Sequence, residues 1–401
     1  MFKRKVLSDV SLNFISSIIV LISIQLLLYP KISRETNAEF FGSFVFLMSI
    51  FNFVATVLGG TGNSLFMKNY LRFRKNNEVL TGYRHIITLI YQTFFISFVI
   101  LFFYFNHLNY SRFDQVVFGI LTLLITYRIY LISWFRVELK YREILLSNLV
   151  LSFSYILIFV FIKDMSNIFH FIIIAESTFT MTALYITRAP KLLLPKILKN
   201  NKTLYKGFFV LLISSILISG LKYLDRWFIN TFMESELIAY FYVASITGSL
   251  FSIPFNTLSN VIFSYYIQYD NLSKKTLNHM LIILPVLPFI LIVTGYFIGP
   301  VFISILYPEY YDESLSLFYI LNIGYGVLII DFLLRGFVIK FFDEKNKLLI
   351  DGISITFCIL ALLILTPFLD LKGVAIAFTL TFIVKSIIDY IYLIAYARLQ
   401  I

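Results

Sequence analysis

One cysteine, four histidines and two tryptophans in 401 residues leave this chain short of the usual materials for several kinds of chemistry. Cys358 by itself closes no disulfide within the chain, and no Cys/His spacing of a metal site exists. No Ser-His-Asp grouping or pair of carboxylates with hydrolytic spacing can be assembled, and no cofactor motif is present. Gly59-Gly60-Thr61-Gly62 resembles a phosphate loop only superficially: the Lys-Ser/Thr that would hold phosphate does not follow. It reads instead as a flexible exit from a helix. Charge is scarce too. Asp, Glu, Lys and Arg make up 14% of the chain, where soluble domains carry about a quarter. That excludes an ordinary soluble domain.

What the chain has is hydrocarbon. Hydrophobic residues make up 59%, among them 45 Phe and 27 Tyr, a load that suits lipid-facing bulk and interfacial belts. The apolar runs are about 20 residues long, as membrane-crossing helices require, without the alternation of an outer-membrane barrel. Twelve such segments are predicted: 10–29, 40–60, 85–105, 116–135, 144–162, 168–187, 207–230, 237–263, 281–305, 315–340, 348–369 and 373–397. The fold class is therefore an all-α integral membrane protein of about 12 transmembrane helices. Pro254, Pro285 and Pro288 fall inside segments, where they free backbone carbonyls and bend helices. The start, MFKRKVLSDV, is basic but lacks a small-residue cleavage site, so the first segment reads as a retained span.

The net charge of +11 raises the possibility of nucleic acid, but the cations are scattered over short loops rather than gathered in one footprint. Of the 33 Lys and Arg, 23 fall on the side holding the N-terminus, six on the other, and four inside spans. The positive-inside rule then places both termini in the cytoplasm. The polar stretch at about 188–206 divides the chain into 1–200 and 201–401, with six spans each. Its leucines among lysines fit either an interfacial helix held by anionic membrane lipids or a plain basic linker. Glu35-Thr-Asn-Ala-Glu39 leading into Phe41-Gly42-Ser43-Phe44 after the first span finds a faint echo in Glu234-Ser235-Glu236 leading into Ala239-Tyr-Phe-Tyr242 after the seventh, as two parallel six-helix repeats would give. The four histidines, His85, His107, His170 and His279, all fall at expected interfaces.

The anomaly is the set of charges inside the spans. A charge in hydrocarbon costs about 2.5–3.5 kcal/mol, so each needs a partner or a function. Arg128 is near enough to the cytoplasmic end of its span to snorkel. Asp331 and Arg335 are one helical turn apart and can pair, and Lys385 and Asp389 repeat that spacing. Glu176 is central in its span, either a coupling proton site or the neutraliser of a lysine from another helix. Lys222, Asp225 and Arg226 form a net cationic cluster in which Asp225 is placed to offset Lys222 partly.

Several stretches resemble a known family. Tyr223-Leu-Asp225-Arg226-Trp-Phe-Ile-Asn230 followed by Ala239-Tyr-Phe-Tyr-Val-Ala244 is similar to the seventh and eighth spans of polysaccharide flippases of the multidrug/oligosaccharidyl-lipid/polysaccharide (MOP) exporter superfamily. Leu306-Tyr-Pro308-Glu309-Tyr310, Asp343-Glu-Lys-Asn-Lys347 and Leu371-Lys-Gly373-Val-Ala375-Ile-Ala377 continue that pattern, although Ala375 stands where a second small residue of another kind is usual. At the front, Tyr29-Pro30 to Arg34 and Glu39 to Gly42 resemble the family's opening. The resemblance covers nearly the whole chain in order. It implies two six-helix bundles around a central cavity and a Wzx-type flippase of O-antigen or capsule repeat units, not an enzyme, in the bacterial cytoplasmic membrane. It implies as substrate a polyprenyl-pyrophosphate-linked oligosaccharide, with H+ or Na+ as coupling ion and polysaccharide polymerase machinery as an associate. Lys222, Lys385, Arg226, Arg335 and Arg128 are then the candidates for substrate contact, because an anionic pyrophosphate needs cations. Glu176, Asp225, Asp331 and Asp389 are the candidates for ion coupling or pairing. Two other readings stay open: a drug or organic-cation antiporter of the same superfamily, which wants deep acids, and a membrane polysaccharide polymerase or ligase, which wants a large outer loop.

Overall fold

A backbone surrounded by hydrocarbon must satisfy its own N–H and C=O groups, and a helix does so within one segment. The described residues follow this along their apolar segments. The structure, a computed structural model, describes residues 2–188, 190–196, 202–266, 274–342 and 344–399. Its helices are α1 (Phe2–Leu21), α2 (Tyr29–Glu35), α3 (Ala38–Lys75), α4 (Val79–His107), α5 (Arg112–Val137), α6 (Tyr141–Phe161), α7 (Ile168–Thr187), α8 (Lys202–Phe232), α9 (Ser235–Tyr266), α10 (Lys274–Leu306), α11 (Tyr311–Phe342) and α12 (Glu344–Leu399). A wide π-helical stretch, Ile22–Leu28, joins α1 to α2. No strand occurs among the described residues.

All twelve expected segments are helical. Ten helices among the described residues are long and apolar enough to cross a membrane, and the last of these, Lys345–Arg398, carries two of the expected segments. Its two legs meet at Asp370, whose φ of 50° and ψ of −132° are non-helical. Gly373 makes that joint possible: a Cβ there would press on the Leu365 carbonyl and the Thr366 Cα. Val374, Ala375 and Ala377, the small residues that follow, are fully buried.

The chain divides into two compact units, Met1–Glu35 with Leu47–Ser219 and Thr36–Phe46 with Gly220–Ile401. In the first unit α6 packs on α1 and α7, and α7 on α5. In the second, α11 packs against α9, α10 and α12, around an apolar cluster that includes Leu284, Leu334, Phe337, Ile350 and Leu393. The two echoing sequence stretches touch there. A Cβ on Gly42 would strike the Ser235 carbonyl, and the Phe41 ring lies 5.7 Å from that of Tyr242 and 5.8 Å from that of Tyr310.

Several local expectations change. The Gly59–Gly62 run is no helix exit, since α3 continues unbroken to Lys75. Gly59 and Gly62 let α5 approach closely, because a Cβ at either would crowd Thr126 and Ile129, or Tyr130. The prolines do free carbonyls. Pro285 has no N–H to offer the carbonyl four residues earlier, and the Tyr390 hydroxyl donates to that orphan, Leu281 O, at 2.9 Å. Linker residues 190–196 form a single 3-10 turn, Pro190–Leu193, followed by a bend at Leu194 and irregular backbone, so they make no interfacial helix; residues 189 and 197–201 lie outside the described residues. Instead α4 holds the linker: Tyr91 donates to Leu193 O at 2.7 Å and Arg84 to Leu194 O at 2.9 Å, while Thr88 accepts from Lys196 N–H at 3.0 Å. Leu192 is buried rather than turned to lipid. His85 is fully buried, its ring 5.4 Å from that of Tyr205.

Lys31 closes the end of α6, donating from Nζ to Phe159 O at 2.5 Å and Ile162 O at 2.7 Å. A cation on the last carbonyls of a helix satisfies orphan acceptors and opposes the dipole. Lys31→Met is therefore expected to cost about 1–3 kcal/mol, measurable as a lower unfolding midpoint in detergent; an unchanged midpoint contradicts the capping role.

Candidate functional site

The second unit contains a closed circuit of ionised side chains. Asp331 comes from α11. Lys347 and Asp351 come from the first leg of α12, one turn apart, and Lys385 and Asp389 from the second leg at the same spacing. Lys347 Nζ lies 2.5 Å from Asp331 Oδ1, 3.2 Å from Asp389 Oδ2 and 3.9 Å from Asp351 Oδ1. Lys385 Nζ lies 2.9 Å from Asp351 Oδ1 and 3.4 Å from Asp331 Oδ2. None of the five is more than 6% exposed. Two ammonium groups thus serve three carboxylates where three helical segments meet.

Both intrahelical pairs expected from spacing give way. Asp331 is held by Lys347 and Lys385 rather than by Arg335, and Lys385 is held by Asp351 and Asp331 rather than by Asp389. An i,i+4 pair on an open helix contributes only a few tenths of a kcal/mol. A contact across dry helices acts at a lower dielectric and also satisfies a buried charge, so it wins. Lys347 and Asp351 are the members that sequence reasoning missed. Lys347 closes the polar run Asp343-Glu-Lys-Asn-Lys347 and so read as a loop cation. The available signal was a repeat: Lys347-Leu-Leu-Ile-Asp351 on one leg matches Lys385-Ser-Ile-Ile-Asp389 on the other. Arg335 is part-exposed and makes no ion pair within 4.0 Å among the described residues.

The first unit pairs its own deep charges. Arg128 on α5 donates from Nε to Glu176 Oε2 on α7 at 2.8 Å, and Tyr155 on α6 donates to Glu176 Oε1 at 2.8 Å. The Glu176 side chain is 1% exposed and that of Arg128 19%. Arg128 therefore turns inward instead of snorkelling, because a fully buried carboxylate one helix away stabilises it more than the headgroup region would. Glu176 does neutralise a cation from another helix, an arginine rather than a lysine.

On α8 the three clustered charges separate. Lys222 is exposed, with Nζ 5.1 Å from the Tyr223 ring. It forms no ion pair with Asp225 among the described residues; Asp225 is 4% exposed and its Oδ1 has no hydrogen-bond partner among them. The Arg226 guanidinium carbon lies over two rings, 5.7 Å from that of Tyr223 and 5.5 Å from that of Tyr242, and its buried Nε has no hydrogen-bond partner among the described residues. Rings on a guanidinium face attract it without using its in-plane N–H donors. Those donors suit a bidentate oxyanion. Among the described intramembrane cations, Arg128, Lys347 and Lys385 are committed to carboxylates, whereas Lys222, Arg226 and Arg335 have no carboxylate within ion-pair distance. No group of His, Cys, Asp and Glu among the described residues is arranged to hold a metal ion.

No family model and no curated protein matches the sequence. Solved structures do match in fold. An inward-facing multidrug resistance MATE family transporter of the MOP superfamily aligns with a TM-score of 0.70 at 12% identity, covering 98% of this chain and 94% of that one. Lipid II flippase MurJ in an inward closed conformation aligns with a TM-score of 0.69 at 16% identity, covering 97% and 87%. MATE in a bent conformation gives 0.65 at 12%, covering 99% and 95%. The chain therefore has the MATE/MOP fold, in the manner of multi-pass membrane proteins, over essentially its whole length.

Proposed function

We propose that this chain is a flippase that carries a polyprenyl-pyrophosphate-linked oligosaccharide from the cytoplasmic to the outer leaflet of a bacterial cytoplasmic membrane, for assembly of a surface polysaccharide such as O-antigen or capsule. The fold, shared with a lipid II flippase and with MATE transporters, supports movement of an amphiphile by alternating access, with residues 1–200 and 201–401 as the two repeats. The observation that carries the substrate assignment is the sorting of charge. Arg226, within cation–π distance of Tyr223 and Tyr242 and with its Nε unengaged among the described residues, is the first candidate for the pyrophosphate, and Lys222 and Arg335 follow. Arg128 and Lys385, whose charges are spent on Glu176 and on Asp351 with Asp331, act instead as internal counter-ions.

A cationic-drug antiporter is the second reading. It needs a deep carboxylate to receive the drug; Glu176 already has Arg128 and Tyr155, which leaves the buried Asp225, beside Arg226 in sequence, as its candidate. The surplus carboxylate of the second unit supports coupling to H+ or Na+ in either case. The positive-inside count supports cytoplasmic termini. Association with a polymerase belongs to the polysaccharide reading and falls with it.

Depletion of the protein is expected to leave lipid-linked repeat units facing the cytoplasm and to reduce surface glycan, measured by glycosidase accessibility in sealed vesicles. Unchanged lipid intermediates after clean deletion in a strain with no second flippase count against the proposal. Arg226→Gln is expected to lower transport at least about tenfold with normal membrane insertion, about the value of one charge-assisted hydrogen bond.

A further inference from the structure

Helix α3 is 38 residues long, about 57 Å at 1.5 Å per residue, against a hydrocarbon layer of about 30 Å. Its last turns therefore leave the hydrocarbon and enter the headgroup layer. Their two faces differ sharply. Phe66 and Phe73 are 0% and 2% exposed. Phe66 packs on Tyr83 at 4.9 Å and stacks with Trp134 at 6.1 Å, and a Cβ on Gly82 would strike the Phe73 ring. This aromatic packing fixes the rotation of the helix. At 100° per residue the opposite side then presents Leu71, Arg72 and Lys75, with Met67 and Arg74 on one flank; all five are exposed, with Leu71 at 76%. Exposed Lys68 adds to the same arc, and the acid nearest in sequence is exposed Glu78.

The end of α3 is stopped where it is by a tight reversal. Glu78 N–H donates to Phe73 O at 2.8 Å and Asn77 N–H to Arg74 O at 3.2 Å, with Asn77 in the left-handed region at φ 53°. The cations are thus held on a rigid, defined surface and not on a floppy loop. Arg72, Arg74 and Lys75 form no ion pair among the described residues. An apolar residue as exposed as Leu71, ringed by cations, is unfavourable in water. It is favourable where a phosphate and an acyl chain arrive together.

We propose that this face of α3 is a docking site for one anionic phospholipid, with Arg72 and Lys75 holding the headgroup phosphate, Arg74 adding charge from the flank, and Leu71 and Met67 lying along the start of its acyl chains. Charge complementarity selects an anionic over a zwitterionic lipid, and the exposed Leu71 selects a lipid over a free phosphate. The site is independent of the transported substrate.

The test uses the full chain in nanodiscs of phosphatidylcholine with and without phosphatidylglycerol, read by native mass spectrometry of retained lipid and by the thermal midpoint. Phosphatidylglycerol is expected to be retained and to raise the midpoint. The triple variant R72Q/R74Q/K75Q is expected to lose retention at least about tenfold, since each cation near an anionic surface is worth about fivefold. A control that removes equal charge elsewhere, R142Q/K202Q/K206Q, is expected to keep it, and Leu71→Ser to weaken it without changing charge. Equal loss in the triple variant and the control, or no loss in either, overturns the site in favour of diffuse attraction. Should the triple variant not insert, Lys75→Gln alone is read against Arg142→Gln.

Discussion

Lys347→Met is expected to destabilise the protein by about 3–5 kcal/mol, while Asp331→Asn costs about 1–2 kcal/mol or less. The asymmetry follows from counting charges in the buried circuit. Removing Lys347 leaves Lys385 alone with Asp331, Asp351 and Asp389, so two carboxylates stay buried without a cation. Removing the charge of Asp331 leaves two matched pairs, Lys347 with Asp389 at 3.2 Å and Lys385 with Asp351 at 2.9 Å. Thermal unfolding of the two purified variants in one detergent checks the order. Equal losses, or a larger loss for Asp331→Asn, refute the count. The Lys347 variant should also spread its damage locally, because Leu334, Ile350 and Leu393 of the adjoining apolar cluster sit beside the charged positions in sequence.

Glu176→Ala is expected to cost a similar about 3–5 kcal/mol, for a different reason. It takes the counter-charge from the Arg128 guanidinium and leaves the buried Tyr155 hydroxyl without its acceptor, since both bonds end on this one carboxylate at 2.8 Å. Glu176→Gln keeps oxygen acceptor capacity and should lose about half as much. The double variant Arg128→Met with Glu176→Leu removes both charges and fills the space with hydrocarbon, so it should recover most of the loss. A double-mutant cycle measures the coupling directly. Simple additivity of the two single losses rejects the pair as a unit.

The twelve apolar segments and their helical state were legible because a membrane-crossing stretch must be long, apolar and hydrogen-bonded within itself. Helix ends were less so. Nothing local distinguishes Gly59–Gly62 as a stop from Gly59–Gly62 as a close-packing face, and α5 decides the matter through Thr126, Ile129 and Tyr130. The linker at 190–196 had the composition of an interfacial helix, yet side chains spaced along α4 offered its carbonyls better partners.

Among the candidate residues, type and depth were legible and partners were not. Asp331, Lys385, Asp389, Arg128 and Glu176 stood out as charges in hydrocarbon, and each is held by another buried group. Spacing along one helix suggested Asp331 with Arg335 and Lys385 with Asp389, because sequence separation reports only neighbours on the same helix. The contacts that form run between α5 and α7 and between α11 and the two legs of α12, at sequence separations that no local pattern encodes.

The sequence by itself determined a multi-helical membrane chain with more intramembrane charge than hydrocarbon tolerates, since composition and periodicity are properties of each segment alone. Only the tertiary structure decided which of those charges cancel. Packing brought Lys347 out of an apparent loop into the circuit and turned Arg128 inward to Glu176. It left the cations of Lys222, Arg226 and Arg335 uncommitted to carboxylates. Neutralisation depends on distance and desolvation across helices, and both are set only when the helices meet.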